Sequence, residues 1–309
     1  MRGKFKTKNQ QLKLLREKNI NTPDGSAKIL LESNYNELIK KYGKIFIDET
    51  KSQNSKKYKK IYKDNTSVPD IYNLLKFDRK LANVLLFEIL NIEEKVKSVF
   101  VYYTCELKGE FSIYDKDAYD QNENIEKIVK NINYLYDLVG RNIKKEFINE
   151  DFKKYGRIPF YVLSEFITLG ELYKLMDSID PVVTIKVAKH FKLTVSQLKS
   201  FVNLLSKFRN ACAHNDVVFS YKYEKASIAP TVIHSKYNLS TGDKSTYNHN
   251  LFACLVVIKY FMKKKEYTSL INQIDSLMTM LEKKTTTIIK NELLDYIGVP
   301  QNYKEMLTK

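Results

Sequence analysis

The chain has 309 residues, of which 43% are hydrophobic and 28% are charged. This balance is typical of globular proteins and excludes a chain that is disordered throughout. Nine glycines and six prolines are too few for a β-rich fold with many turns, so we predict an all-α protein. The three cysteines (Cys105, Cys212 and Cys254) lie far apart. Their spacing favours neither a disulfide framework nor a zinc site, and no metal is expected.

Two features bear on cellular location. The first residues, MRGKFKTKNQQLK, lack the apolar stretch of a signal peptide. The best apolar run, residues 251–262, contains Lys259 and is shorter than the roughly 20 apolar residues of a membrane span. We expect a soluble, cytoplasmic protein without a membrane partner.

The formal net charge is +16. An excess of this size typically indicates a polyanionic partner, most often nucleic acid. A second explanation stays open. The chain is rich in Lys, Asn, Ile and Tyr and has no Trp, as AT-rich coding sequences tend to produce, so part of the lysine content can reflect mutational bias.

In chain order, residues 7–18 predict a short amphipathic helix, and NTPDG at 21–25 a turn. A second helix is predicted from Ser26 to about Tyr42. Residues 51–63 then interleave lysines with tyrosines, a pattern that suits phosphate neutralisation and base stacking. The candidate RNA-binding residues in this stretch are Lys56, Lys57, Tyr58, Lys59, Lys60 and Tyr62. A solvated loop is the alternative.

Apolar periodicity predicts further helices along the rest of the chain. They cover residues 74–107, 124–149, 159–176, 196–214, 251–262 and 267–281. Residues 217–250 are rich in Ser, Thr and Asn and contain β-branched pairs, so we predict a loop or a small hairpin there.

The helix before residue 214 carries an unusual arginine. On a helical wheel, its apolar side chains form one stripe, made of Leu198, Phe201, Val202, Leu205, Phe208 and Cys212. Arg209 lies inside that stripe, although only six of the 52 basic residues are arginines. A buried arginine needs an acidic partner or an anion, and Glu165 on the apolar 159–176 segment is a candidate partner. His214 could simply interact with the helix dipole.

Arg209 and His214 would point about 140° apart on a regular helix. One chain therefore does not easily direct both side chains at one phosphate. Either the helix ends near Ala213 and lets His214 turn, or two chains combine their motifs across a two-fold axis.

The string Arg-Asn-x-x-x-His at a helix end, in FRNACAH, is the signature of the HEPN nucleases. The chain resembles the Abi-like proteins of that superfamily more closely still. The segments that carry the resemblance are QQLKLLREKNI, ILLESNYNELIKKY, FDRKLANVLLFEILNIEEKVKSVF, IPFYVLSEFITLGELYKLM, FRNACAHNDVVF and HNLFACLVVIKYFM. The resemblance implies an all-α, HEPN-like helical bundle with an N-terminal helical extension and an insertion before the C-terminal helices. It implies one domain over 1–309: N-terminal helices and basic linker (1–73), helical core (74–216), insertion (217–250) and C-terminal helices (251–309).

The resemblance further implies a metal-independent endoribonuclease of abortive-infection or toxin systems. It implies a homodimer with the active site at the interface and no cofactor. RNA supplies its own nucleophile, the 2′-OH, and histidine can move protons near neutral pH. His214 and Arg209 would be catalytic, with Asn210 orienting the His214 ring. Expected products are a 2′,3′-cyclic phosphate and a 5′-OH, and DNA should resist cleavage.

Glu165 and Asn215 are candidate supporting residues. The motif continues as Asn215-Asp216-Val217, where many relatives have a basic or aromatic run. Asp216 also replaces a tyrosine of toxins silenced by a nucleotidyltransferase partner, so that partner is not expected. The alternative function is a non-cleaving protein that binds a structured small non-coding RNA. A DNA-binding regulator is not favoured, because no helix-turn-helix spacing stands out.

Overall fold

We describe a computed structural model of the chain, covering residues 5–55, 58, 60–225, 227–240 and 246–309. The described residues form fifteen α-helices: α1 (Lys8–Glu17), α2 (Ser26–Glu32), α3 (Glu49–Asn54), α4 (Val68–Lys108), α5 (Ile125–Asn142), α6 (Glu146–Tyr155), α7 (Phe160–Leu163), α8 (Leu169–Ser178), α9 (Pro181–His190), α10 (Val195–Ala213), α11 (Val232–Lys236), α12 (Leu251–Lys259), α13 (Lys264–Lys284), α14 (Lys290–Ile297) and α15 (Tyr303–Thr308). Two short strands, β1 (Ile47–Asp48) and β2 (Ile61–Tyr62), pair antiparallel. The predicted all-α class is confirmed.

Helix α4 is the central element of the fold. Its 41 residues correspond to a length of about 60 Å, and it packs against α9, α10 and α13. Periodicity predicted its start at Leu74, but the helix begins at Val68. The six additional residues follow from Ser67, which caps the helix in a reciprocal capping box with Asp70, and from Pro69, which the first turn tolerates.

Three predicted helices are broken in the structure. The segment from Ser26 to Tyr42 contains α2, an extended residue at Ser33, and a π-helical turn over Asn36–Lys41. Residues 124–149 contain all of α5 and the beginning of α6. Residues 159–176 divide into α7, a 3-10 turn over Ser164–Phe166, and α8. Apolar periodicity continues across each break because the separate pieces face the same core.

The described part of residues 217–250 contains no strand. It is a loop with the short helix α11 and a 3-10 turn over Thr246–Asn248. The segment is anchored by its buried side chains, Val218, Phe219, Ile228 and Ile233. The loop alternative is therefore correct for these residues, and the hairpin alternative is not observed.

Helix α12 explains the apolar run at residues 251–262. All residues from Leu251 to Ile258 are fully buried, so the helix is apolar on every side because other helices surround it. Across the described residues, no helix has both the length and the apolar composition that crossing a membrane requires.

Candidate functional site

The Arg209–His214 motif occupies the last turn of α10. The helix starts at a capping box between Thr194 and Gln197. It ends at Ala213, and Asn215 adopts a left-handed conformation with φ of +59°. The backbone N–H of Asp216 donates to the carbonyl of Ala211 at 3.0 Å. This is the Schellman arrangement, which fixes the direction of the chain after the motif.

Arg209 faces an acid, as its place in the apolar stripe predicted. Its Nε atom lies 3.6 Å from Oε2 of Glu93 on α4. The Glu93 side chain is 7% exposed and that of Arg209 28% exposed. Both facing atoms are buried without a hydrogen-bond partner among the described residues. The pair is therefore an ion contact rather than a bidentate bridge, and part of the Arg209 side chain is accessible from outside.

Glu93 also holds the start of α8. Its second oxygen, Oε1, accepts a hydrogen bond of 2.8 Å from the backbone N–H of Leu169, one of the N–H groups that a helix start leaves unpaired. Burial raises the pKa of Glu93, while the Arg209 guanidinium and the Leu169 N–H act in the opposite direction. One carboxylate thus connects α4, α8 and α10 at the level of Arg209.

The expected pairing of Arg209 with Glu165 is corrected by the structure. Glu165 is exposed and lies on the 3-10 turn between α7 and α8. The prediction assumed one helix over 159–176, which would have buried this face. Because the helix breaks before Thr168, Glu165 turns outward, and Glu93 supplies the carboxylate instead.

Asn210 and His214 are both exposed. The His214 backbone N–H donates to the Asn210 carbonyl at 2.9 Å, but among the described residues the two side chains form no hydrogen bond with each other. His214 has φ −94° and ψ 10°, so its φ differs from the helical value by only about 30°. Its Cα–Cβ bond therefore leaves the backbone near the helical direction, away from that of Arg209, although α10 itself ends at Ala213 as one of the two alternatives expected.

The segment after the motif is fixed by a second buried acid, Asp78 of α4. Its carboxylate accepts hydrogen bonds from the backbone N–H of Val218 at 3.1 Å and of Phe219 at 2.6 Å. The Tyr42 hydroxyl donates to it at 2.8 Å. Burial raises the pKa of Asp78, and these hydrogen bonds oppose that rise. Asp78 therefore ties the residues following His214 to the central helix.

Sequence reasoning missed both Glu93 and Asp78, although a signal was present. Asp78 lies between Leu74 and Leu81 on the buried stripe of α4, and Glu93 lies between Ile89 and Val96. An acid at the helical spacing of core residues needs a buried partner. In this chain, the partners are Arg209 and backbone N–H groups after the motif.

The basic segment 51–63 differs from its prediction. Lys56, Lys57 and Lys59 lie outside the described residues, and Lys60 is exposed. Tyr62 is only 3% exposed because strand β2 packs its ring beside Gly43. Tyr62 is therefore unavailable for base stacking, which corrects that prediction.

Tyr58 has partners within the chain. Its hydroxyl donates to Glu17, and Lys18 Nζ lies 5.7 Å from the centre of its ring. The ring is partly buried.

Cys212, inside the motif, is part of the core. It is 5% exposed, and burial raises the pKa of its thiol to about 12. A thiol with so high a pKa is a poor nucleophile at neutral pH. Its role in the motif is packing, and the exposed polar groups are those of Arg209, Asn210 and His214.

Comparison with known families decides the assignment. Residues 28–220 match the family described as Abi-like protein, a range that covers well over half of the chain and includes Asp78, Glu93 and the Arg209–His214 motif. The chain belongs to the Abi-like family. Membership suggests a role in abortive-infection defence. No curated protein and no solved structure matches this Abi-like protein significantly.

Proposed function

We propose that this Abi-like protein is a metal-independent endoribonuclease of the HEPN type that acts in abortive-infection defence. The observation that carries the proposal is the arrangement at the end of α10. Arg209 is held by a buried carboxylate but keeps 28% of its side chain exposed. His214 stands exposed one and a half turns later. A guanidinium and an imidazole are the groups that RNA cleavage needs when the nucleophile belongs to the substrate.

In the proposed reaction, the 2′-OH of RNA attacks the adjacent phosphorus. His214 accepts the proton of that hydroxyl or, in its protonated form, delivers a proton to the departing 5′-oxygen. Arg209 stabilises the negative charge that develops on the phosphorane oxygens through its N–H donors. The bond to the 5′-oxygen breaks, which leaves a 2′,3′-cyclic phosphate and a 5′-OH. Asn210 would hydrogen-bond the substrate or the His214 ring.

A homodimer would resolve the divergence of the two side chains. His214 keeps a near-helical φ, so the Cα–Cβ bonds of Arg209 and His214 of one chain leave α10 on different sides. Two α10 helices related by a two-fold axis would bring the arginine of one chain towards the histidine of its partner.

The direct test is incubation of purified protein with single-stranded RNA in EDTA. The wild type should cleave it, and Arg209→Ala and His214→Ala should each lose most of the activity. Arg209→Lys is the matched control that keeps the charge, and an oligonucleotide with one 2′-deoxy position should resist cleavage at that position. Intact RNA at high protein concentration would overturn the proposal.

Mixing inactive chains tests the shared site. An equimolar mixture of Arg209→Ala and His214→Ala chains should regain part of the activity, because some heterodimers contain one complete site. Activity in the wild type without any recovery in the mixture, after confirmed subunit exchange, would instead support a site within one chain.

The second candidate function is binding of a structured small RNA without cleavage. It is favoured by the absence of a hydrogen bond between the Asn210 and His214 side chains among the described residues, since nothing there fixes the ring. The net charge of +16 is consistent with either function. RNA that co-purifies intact and stays bound after a high-salt wash would support this candidate.

A further inference from the structure

Residues 144–161, KKEFINEDFKKYGRIPFY, show an unusual concentration of exposed aromatic rings. Nine aromatic side chains are strongly exposed among the described residues, and four of them fall within this stretch. These four are Phe147, Phe152, Tyr155 and Tyr161, with exposures of 43%, 39%, 47% and 57%. Single exposed apolar residues are normal on a protein surface, whereas a cluster marks an interaction site.

The segment that carries these rings is an ordered part of the fold. Helix α6 is anchored by Ile148, which is fully buried, and ends at Gly156 with φ of +69°. The chain then returns to the core, where Ile158 and Phe160 are fully buried. The Phe160 N–H donates to the Glu110 carbonyl at 2.8 Å. The rings are thus presented from a fixed backbone.

Lysine ammonium groups lie beside two rings of this region, Tyr155 and Phe166. Lys154 Nζ is 4.7 Å from the centre of the Tyr155 ring. Lys145 Nζ is 4.1 Å from the centre of the Phe166 ring, and Phe166 stacks with Phe147 at 6.3 Å between centroids and 19° between planes. The stretch holds five basic residues against three acidic ones. Tyr155 and Phe166, each with a neighbouring ammonium, offer aromatic surface next to a positive charge.

Phe166 connects this surface to Arg209 through the backbone and two contacts of Glu93. Phe166 lies three residues before Leu169, a distance of at most about 10 Å along the backbone. The Leu169 N–H binds Glu93, whose other oxygen faces Arg209. Phe166 therefore lies near Arg209 in the fold, through the buried residues Leu169 and Glu93.

We propose that residues 144–161, together with Phe166, form a docking surface for single-stranded RNA that leads to Arg209. The rings stack on bases, and Lys145 and Lys154 contact the phosphates beside them. Stacking requires the open face of a base, which a duplex covers, so the partner is a single strand. The claim that the bound RNA leads to Arg209 rests on the proposed nuclease function, whereas the claim that RNA binds this surface does not.

The test measures binding without cleavage. The probe is a fluorescein-labelled RNA of mixed sequence and about 12 nucleotides, with 2′-O-methyl groups that remove the nucleophile. Fluorescence anisotropy at about 0.1 M salt gives the dissociation constant. Tyr155→Ala with Tyr161→Ala should weaken binding by about a hundredfold, at about tenfold per lost stack. The matched pair Tyr155→Phe with Tyr161→Phe keeps both rings and should bind as the wild type does.

Two further controls make the result specific. Phe87→Ala removes a 64% exposed ring outside the surface and should leave affinity unchanged. A duplex of the same sequence should lose little affinity on the Tyr155→Ala and Tyr161→Ala substitutions. Wild-type affinity for the single strand in the double alanine variant, with unchanged circular dichroism, would overturn the proposal.

The binding and cleavage proposals fail in different ways. If the wild type binds the methylated strand but leaves ordinary RNA intact, the proposed nuclease function is contradicted and the proposed docking surface is supported. If the wild type cleaves RNA and the double alanine variant binds the methylated strand normally, the proposed docking surface is contradicted and the proposed nuclease function is supported.

Discussion

Arg209 and Glu93 form a buried contact in which the two facing atoms lie 3.6 Å apart and neither has a hydrogen-bond partner among the described residues. The pair joins two helices and leaves part of the guanidinium exposed. A contact of this kind contributes to stability and to the proposed chemistry at once. Loss of activity in an Arg209 variant therefore has to be separated from loss of folding.

We predict that Arg209→Ala lowers the free energy of unfolding by about 1–3 kcal/mol, because it leaves the buried Glu93 carboxylate without its counter-charge. Adding Glu93→Gln should restore part of that loss, since glutamine is neutral and still accepts the bond from Leu169. Urea unfolding of the four proteins in this cycle measures the effect. Strictly additive losses would show that the two residues do not interact in solution.

The anchor at Asp78 gives a second prediction. Asp78→Asn should lower the free energy of unfolding by about 1–3 kcal/mol, because an amide cannot accept all the hydrogen bonds that converge on the carboxylate. Amide hydrogen exchange at Val218 and Phe219 should accelerate. Tyr42→Phe removes one of these bonds and should cost only about 1 kcal/mol. Unchanged exchange at both amides in the Asp78 variant would contradict the anchoring role.

Substitutions of Asn215 can distinguish a role of its backbone conformation from a role of its side chain in the proposed chemistry. Its φ of +59° suits glycine, so Asn215→Gly should keep stability within a few tenths of a kcal/mol, whereas Asn215→Ala should cost about 1 kcal/mol. Thermal or urea unfolding compares the two. If Asn215 only closes the helix, Asn215→Gly also retains RNA cleavage; loss of cleavage at normal stability would assign its side chain to the site.

We predict that the buried side chain of His234 makes the free energy of unfolding depend on pH. The side chain is 1% exposed, and burial lowers its pKa below the ordinary value of 6.5, against hydrogen bonds to Tyr247 and Asn248 that raise it. The unfolded chain then binds a proton at a higher pH than the folded chain does. Stability should fall as the pH drops below about 6.5.

The matched variant for this effect is His234→Gln, which cannot take up a proton. Its free energy of unfolding should fall less than that of the wild type between pH 7.5 and 5.5. An equal fall in both proteins would assign the pH dependence to other groups.

Local patterns were reliable where a helix carries its own start and stop signals. The helix predicted over 196–214 is observed as α10, between the capping box of Thr194 with Gln197 and the turn after Ala213, and the apolar stripe of α4 was visible over most of its length. That Arg209 needs a partner, either an acid or an anion, also followed from its place among apolar residues. The identity of that partner did not, because Glu93 approaches Arg209 only through the packing of α4 against α10.

The pattern of aromatic residues beside basic residues also shows that sequence alone does not reveal which side chains are exposed. It occurs at 51–63 and at 144–161. In the first, Tyr62 is buried by strand pairing, and in the second the rings stay outside. Composition is similar in both, so the pattern alone could not tell which segment is available to a ligand.

The sequence by itself determined the all-α class, the long helix α4, the helix that carries the motif and the Abi-like family, because each depends on neighbouring residues or on a contiguous pattern. Only the tertiary structure decided that Glu93 faces Arg209, that Asp78 holds the chain after the motif, and that residues 144–161 carry the exposed rings. A helical period identifies which face of a helix is buried. It contains no information about which distant helix covers that face, and that packing is what places a carboxylate beside a guanidinium.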